Sequence, residues 1–78
     1  MPSNSIKLTA VVITFNEEAD IADCLQSLQP VADEIVVVDS YSTDATAAIC
    51  RGFGVRFVQN KWEGIVAQRN FAQRLASH

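Results

Sequence analysis

Two short apolar runs constrain this chain more than anything else in it: residues 10–13 (AVVI) and 35–38 (IVVV). Unbroken runs of this kind, bounded by polar residues, suit strands covered on both faces. In α/β proteins that means a parallel sheet. Parallel neighbours need a crossover, and one lies between the runs. Ile21, Cys24, Leu25 and Leu28 recur there at helical spacing.

The pattern then repeats. Residues 6–15 read as the first strand, starting with alternation at Ile6 and Leu8 and becoming continuously apolar, as a central strand does. Asn16 is placed to cap the first helix, with Glu17 and Glu18 in its positive first turn, and Pro30 stops that helix. After the second strand, Ser42 is an N-cap candidate with Asp44 in the first turn. Ala45, Ala48, Ile49 and Phe53 form the next stripe, and Gly54 sits at the C-cap. Val55, Phe57 and Val58 make a short third strand. Residues 60–64 are a loop, and a last helix presents Ala67, Phe71 and Leu75.

The order βαβαβα predicts an α/β fold with an open parallel sheet and right-handed crossovers. The first two helices then share one face of the sheet. Cys24 and Cys50 become neighbours without being bonded, as small core residues of a protein from a reducing compartment. At 78 residues the chain holds one small domain. A domain of this size buries only roughly 60–65% of its unfolded surface. Three strands leave open edges, so the expectation is a partial domain completed by further chain or by self-association through an open edge.

Composition removes several functions. The net charge is −3, from 6 basic and 9 acidic residues, which argues against a nucleic-acid surface. Cys24 and Cys50 form no CxxC or Cys/His cluster, so a zinc site is not expected. No apolar stretch is long enough to span a bilayer. His78, alone at the end, carries little weight.

Open parallel sheets bind ligands outside the carboxyl ends of their strands. Those ends are Thr14-Phe15-Asn16-Glu17 and Asp39-Ser40. Asp39 is placed either to project a carboxylate into a ligand crevice or to form an Asx turn that holds Ser42, Thr43 and Asp44 at a helix start. A dinucleotide or P-loop site is excluded. FNEEAD has no glycine, and its two carboxylates stand where a phosphate would sit. A receiver domain fits poorly, because the lone strand-end Asp follows the second strand. A neutral, hydrogen-bonding group such as a base and its ribose fits better. Lys61, Arg69 and Arg74 are the nearby cations, and Trp62 either stacks on a ligand or covers an edge.

Three blocks, VVITFNEEADIADCLQSL, ADEIVVVDSYSTDAT and WEGIVAQRNFA, resemble the start of inverting family 2 glycosyltransferases. The group they are most similar to is the lipopolysaccharide-core glycosyltransferases of Gram-negative bacteria. The resemblance runs from about Leu8 to Leu75. It implies the N-terminal half of a GT-A fold, the Rossmann-like fold of nucleotide-diphospho-sugar transferases. It also implies a nucleotide-sugar donor, often UDP-linked, and a glycan or lipid-linked acceptor. Thr14, Phe15 and Glu17 would line the nucleoside pocket, and Asp39 would accept a hydrogen bond from the base. Ser42 would hold the turn, while Arg69 and Asn70 would close over the nucleotide.

A divalent cation, Mg or Mn, is implied for the full enzyme, with its ligands and the catalytic base outside this chain. The 78 residues are then the donor-nucleotide half, inactive alone. They would work in the cytoplasm or at the inner face of its membrane. Two other readings stand beside this one: a non-enzymatic nucleotide-binding or interaction module, and a different α/β enzyme such as a nucleotidyltransferase, which would need a glycine-rich or basic phosphate loop that this sequence does not show. The wider family's VDDGSTDGT motif departs here at Ser40, Tyr41 and Ala45. Tyr41 replaces a glycine, so a positive φ there would be costly.

Overall fold

The computed structural model describes residues 8–76. The elements run β1 (Thr9–Thr14), α1 (Ile21–Leu28), β2 (Glu34–Asp39), α2 (Thr46–Gly52), β3 (Arg56–Gln59) and α3 (Ile65–Leu75). The strands form one parallel sheet in the order β1-β2-β3. The βαβαβα reading holds. The expected start of β1 at Ile6 and the terminal His78 lie outside the described residues.

The centre of the sheet is β2, with residues 35–39 all buried. The first strand, expected to be central, is an edge within the described residues, and residues 9–13 are only partly buried. Its continuous apolar run reflects cover on both faces, which an edge strand also receives when helices pack above and below it.

Period-two alternation sorts the side chains into two cores. On one face Ile21, Leu25, Ile35, Val37 and Cys50 cluster, with Ala10, Val12, Cys24, Ile49, Phe53 and Phe57 packed against them. On the other face Val36, Val38 and Ala72 cluster with Val11, Phe71 and Leu75. The first two helices therefore share a face and α3 covers the opposite one. Cys24 and Cys50 both belong to the first cluster, and both thiols are free.

Three helix details differ from the sequence reading. The α1 helix begins at Ile21, because Asn16 adopts φ +53 and turns the chain before any helix starts. The α2 helix begins at Thr46 rather than behind Ser42, and its stripe is Thr46, Ile49, Cys50 and Phe53, leaving Ala45 and Ala48 exposed. On α3 the inward face is Gln68, Phe71, Ala72 and Leu75, while Ala67 is exposed. Gly54 holds φ +71 just beyond the C-cap of α2, as a glycine there should. Arg56 Nη1 donates to the Leu75 carbonyl at 2.5 Å, placing a cation at the negative end of α3.

Candidate functional site

The carboxyl ends of the strands meet in register. Thr14 pairs with Asp39, and Asp39 with Gln59. All three side chains point to the face shared by α1 and α2, since they continue the parity of Val12, Val37 and Phe57. Asp39 is their hub. Its Oδ1 accepts the Thr14 hydroxyl at 2.6 Å and the Ser42 hydroxyl at 2.5 Å. Its Oδ2 accepts the Ser42 backbone N–H at 2.7 Å and Gln59 Nε2 at 3.2 Å. The residue is 0% exposed.

Burial alone would push the Asp39 pKa up. The hydroxyls of Ser42 and Thr14, the Ser42 N–H and the Gln59 amide outweigh it and hold the carboxyl below its usual range. The carboxylate thus lies under the turn rather than projecting into a crevice.

The residues behind it interlock two loops. Asn16 N–H donates to Ser42 Oγ at 2.8 Å, and Thr43 N–H donates to Asn16 Oδ1 at 2.8 Å. Glu17 N–H donates to Thr46 Oγ1 at 2.8 Å, and Glu18 N–H donates to Asp44 Oδ2 at 3.1 Å. Glu18 Oε1 in turn accepts the Ala45 N–H at 3.0 Å. The two loops therefore satisfy each other's backbone groups, a task that sequence reasoning gave to separate helix caps. Asp44 Oδ1 accepts both the N–H and the hydroxyl of Thr46, at 2.9 and 2.6 Å. Against a burial cost, these bonds and the Glu18 N–H lower the Asp44 pKa.

The opposite parity builds a different surface. Phe15 and Ser40 follow Ile13 and Val38 on the α3 face, and Trp62 arrives from the loop after β3. Together they line an open cavity of about 350 Å³. Phe15 is 56% exposed and Trp62 51%. Gly64, two residues on, takes φ +105 at the start of α3, a conformation that only glycine holds without strain.

The expected site residues therefore separate. Thr14, Asp39 and Ser42 are joined under the turn, Phe15 lines the cavity, and Glu17 is exposed in the interlocked loop. Arg69 and Asn70 are exposed on α3. Arg69 lines a second cavity of about 460 Å³ with Val11, Ile13, Ile65 and Gln73, beside β1 rather than at the Asp39 turn.

Three contributors escaped the sequence reading, Thr46, Gln59 and Gln68, and Ser40 entered it only as a strand end and a departure from the family motif. Gln68 left a signal, since it is the polar member of an otherwise apolar stripe at spacings of three, four and seven. Among the described residues, no group of three or more His, Cys, Asp or Glu side chains is placed to hold a metal ion. No helix among the described residues is long and apolar enough to cross a membrane.

Comparison with known proteins gives a consistent picture. The family model for glycosyl transferase family 2 matches residues 9–78. A glycosyltransferase of Rickettsia felis is 44% identical over 69 residues, covering 88% of this chain and 24% of that protein. The lipopolysaccharide core biosynthesis glycosyltransferase of Rhizobium meliloti is 43% identical over 72 residues, covering 86% of this chain and 26% of that one. The chain thus spans about a quarter of the length of these relatives.

Among solved structures, glucosyl-3-phosphoglycerate synthase from Mycobacterium tuberculosis with phosphoglyceric acid superposes with a TM-score of 0.73 at 25% identity, over 92% of this chain and 30% of that one. The same enzyme with Mn²⁺, UDP-glucose and glycerol 3-phosphate gives 0.62 at 35% identity, over 68% and 21%.

Proposed function

This chain belongs to glycosyl transferase family 2, and from that premise we propose that it forms the donor-nucleotide part of a glycosyltransferase, with the base at the carboxyl ends of β1 and β2. The observation that carries this reading is the cavity bordered by Phe15, Ser40 and Trp62. Two exposed aromatic side chains beside one hydroxyl suit a flat, neutral, hydrogen-bonding ring. The acidic residues of the neighbouring loop, Glu17, Glu18 and Asp44, make that side unfavourable for an unneutralised phosphate. The diphosphate therefore leaves the cavity away from them.

Within this reading the residues take distinct roles. Phe15 and Trp62 pack against the base. Thr14, Asp39 and Ser42 keep the two strand ends in register beneath it. If Asp39 also accepts the base N–H, it must give up one of its present donors, and Ser42 is the movable one because its loop is partly exposed. Glu17, Arg69 and Asn70 do not line that cavity, and Arg69, exposed on α3, is the cation this reading offers to a leaving diphosphate.

The donor is a UDP-sugar on this reading, and the acceptor is a lipopolysaccharide-core or related glycan. The support is the UDP-glucose bound by the solved relative and the lipopolysaccharide core biosynthesis of the Rhizobium one. On this reading the work is done in the cytoplasm or at the inner face of its membrane. A divalent cation would neutralise the leaving diphosphate, and its ligands are not assigned to the described residues.

Isothermal titration of UDP into the intact protein tests this. Binding that Phe15→Ala and Trp62→Ala each weaken, in variants that circular dichroism shows to be folded, supports the assignment. A folded protein that takes up no UDP, with or without Mn²⁺, overturns it.

A further inference from the structure

The Gln68 amide fixes the direction of a hydroxyl in the same cavity. Gln68 sits on α3 and is 0% exposed. Its Nε2 lies 3.3 Å from the Asn60 backbone carbonyl, a group that can only accept. Oε1 then accepts from Asn60 Nδ2 at 2.9 Å. Reversing the amide would set acceptor against acceptor at the Asn60 carbonyl. With its orientation fixed in this way, Nε2 also donates to Ser40 Oγ at 3.0 Å. The Ser40 oxygen is thus an acceptor on the Gln68 side, and its own proton is directed elsewhere. Among the described residues, Ser40 also supplies the one hydroxyl lining the cavity with Phe15 and Trp62.

We propose that Ser40 donates its hydroxyl proton to a ring carbonyl of the bound base, and that Gln68 is the positioning residue that enforces this direction. The inference rests on the nucleotide reading above and deepens it. Two aromatic side chains alone would admit any flat ring. A hydroxyl that spends one lone pair on Gln68 and keeps its proton for the cavity favours rings carrying an acceptor at that edge over rings presenting an amine, which would meet only the one remaining lone pair and leave the proton unused.

The test titrates UDP, 2-thio-UDP and 4-thio-UDP into the intact protein and into Ser40→Ala, Ser40→Thr and Gln68→Glu. A thiocarbonyl is the poorer acceptor. Ser40→Ala is expected to weaken UDP by about fivefold, while Ser40→Thr retains affinity. One of the two thio analogues should bind the unmodified protein as weakly as UDP binds Ser40→Ala, and should be indifferent to that substitution. Gln68→Glu presents only acceptors, draws the Ser40 proton back and should reproduce the Ser40→Ala loss.

Equal UDP affinity for the unmodified protein and Ser40→Ala overturns the proposal and leaves the nucleotide reading standing. So does an equal loss of all three ligands in Ser40→Ala. A folded Gln68→Glu with unchanged selectivity overturns the role of Gln68. If that variant does not fold, the Ser40 pair still decides. No UDP binding by the unmodified protein removes the nucleotide reading and this inference with it.

Discussion

The Thr14 hydroxyl and the Asp39 carboxylate lie 2.6 Å apart at the paired ends of β1 and β2, and both side chains are buried. This bond ties the last residue of one strand to the last residue of its neighbour. The same carboxylate receives three further donors from Ser42 and Gln59, so one side chain holds both strand neighbours and the following turn.

Removing the carboxylate should therefore be felt first as lost stability. Asp39→Ala strands several buried donors at once and is expected to cost roughly 2–4 kcal/mol. Asp39→Asn keeps the shape but turns one acceptor into a donor facing Ser42 N–H and Gln59, and should cost roughly 2 kcal/mol. Urea denaturation of the three proteins at neutral pH measures both.

Acid should weaken the fold through the same residue. The folded pKa of Asp39 is depressed, so its contribution is fully present above the unfolded carboxylate value of about 3.9 and is lost as pH falls through the lower folded value. Asp44 is shifted the same way and adds to the trend. Thermal melts below about pH 4 should show a steeper loss in the unmodified protein than in Asp39→Asn.

Tyr41 stands at φ +57 in the turn after β2 and is largely exposed. A non-glycine residue there carries roughly 1–2 kcal/mol of backbone cost. Tyr41→Gly removes it but loosens the unfolded chain, so the net gain should be at most about 1 kcal/mol, read as a raised Tm.

Thr46 is buried, donates to Asp44 and accepts from Glu17 N–H, so it joins the two loops at the start of α2. Thr46→Val keeps the volume and removes both bonds. It should destabilise by roughly 1–3 kcal/mol and raise hydrogen exchange at the Glu17 amide.

Cys50 is buried, and burial pushes its thiol pKa up, with the charges of Asp39 and Cys24 acting in the same direction. Cys24 is partly exposed. Under native conditions a small alkylating reagent should modify Cys24 first and Cys50 only as the chain opens, which peptide mass spectrometry resolves.

Much of the fold was legible because strand and helix periods differ. The valine-rich runs, the α1 stripe at Ile21, Cys24, Leu25 and Leu28, and Gly54 beyond α2 announce themselves by spacing and by backbone preference. The helix starts were not legible. Asn16 and Ser42 are good local caps, but here they bond across 26 or 27 residues to the other loop, as Asp44 does beside its local bonds to Thr46, and no local rule contains that geometry.

By itself the sequence determined the alternation of elements, the parallel sheet and the place of the candidate site at the carboxyl ends of the strands. It also marked Asp39 and its hydroxyl neighbours as a unit, without saying which way that unit faced. The tertiary structure decided the direction. A strand sends successive side chains to opposite faces, and α1 with α2 cover one face while α3 borders the other. Thr14, Asp39 and Gln59 therefore turn inward beneath the interlocked loops, whereas Phe15 and Ser40, one residue further along each strand, face the open cavity. That one-residue parity has meaning only once both faces of the sheet are covered, so packing rather than local sequence separated the buried brace from the exposed aromatic surface.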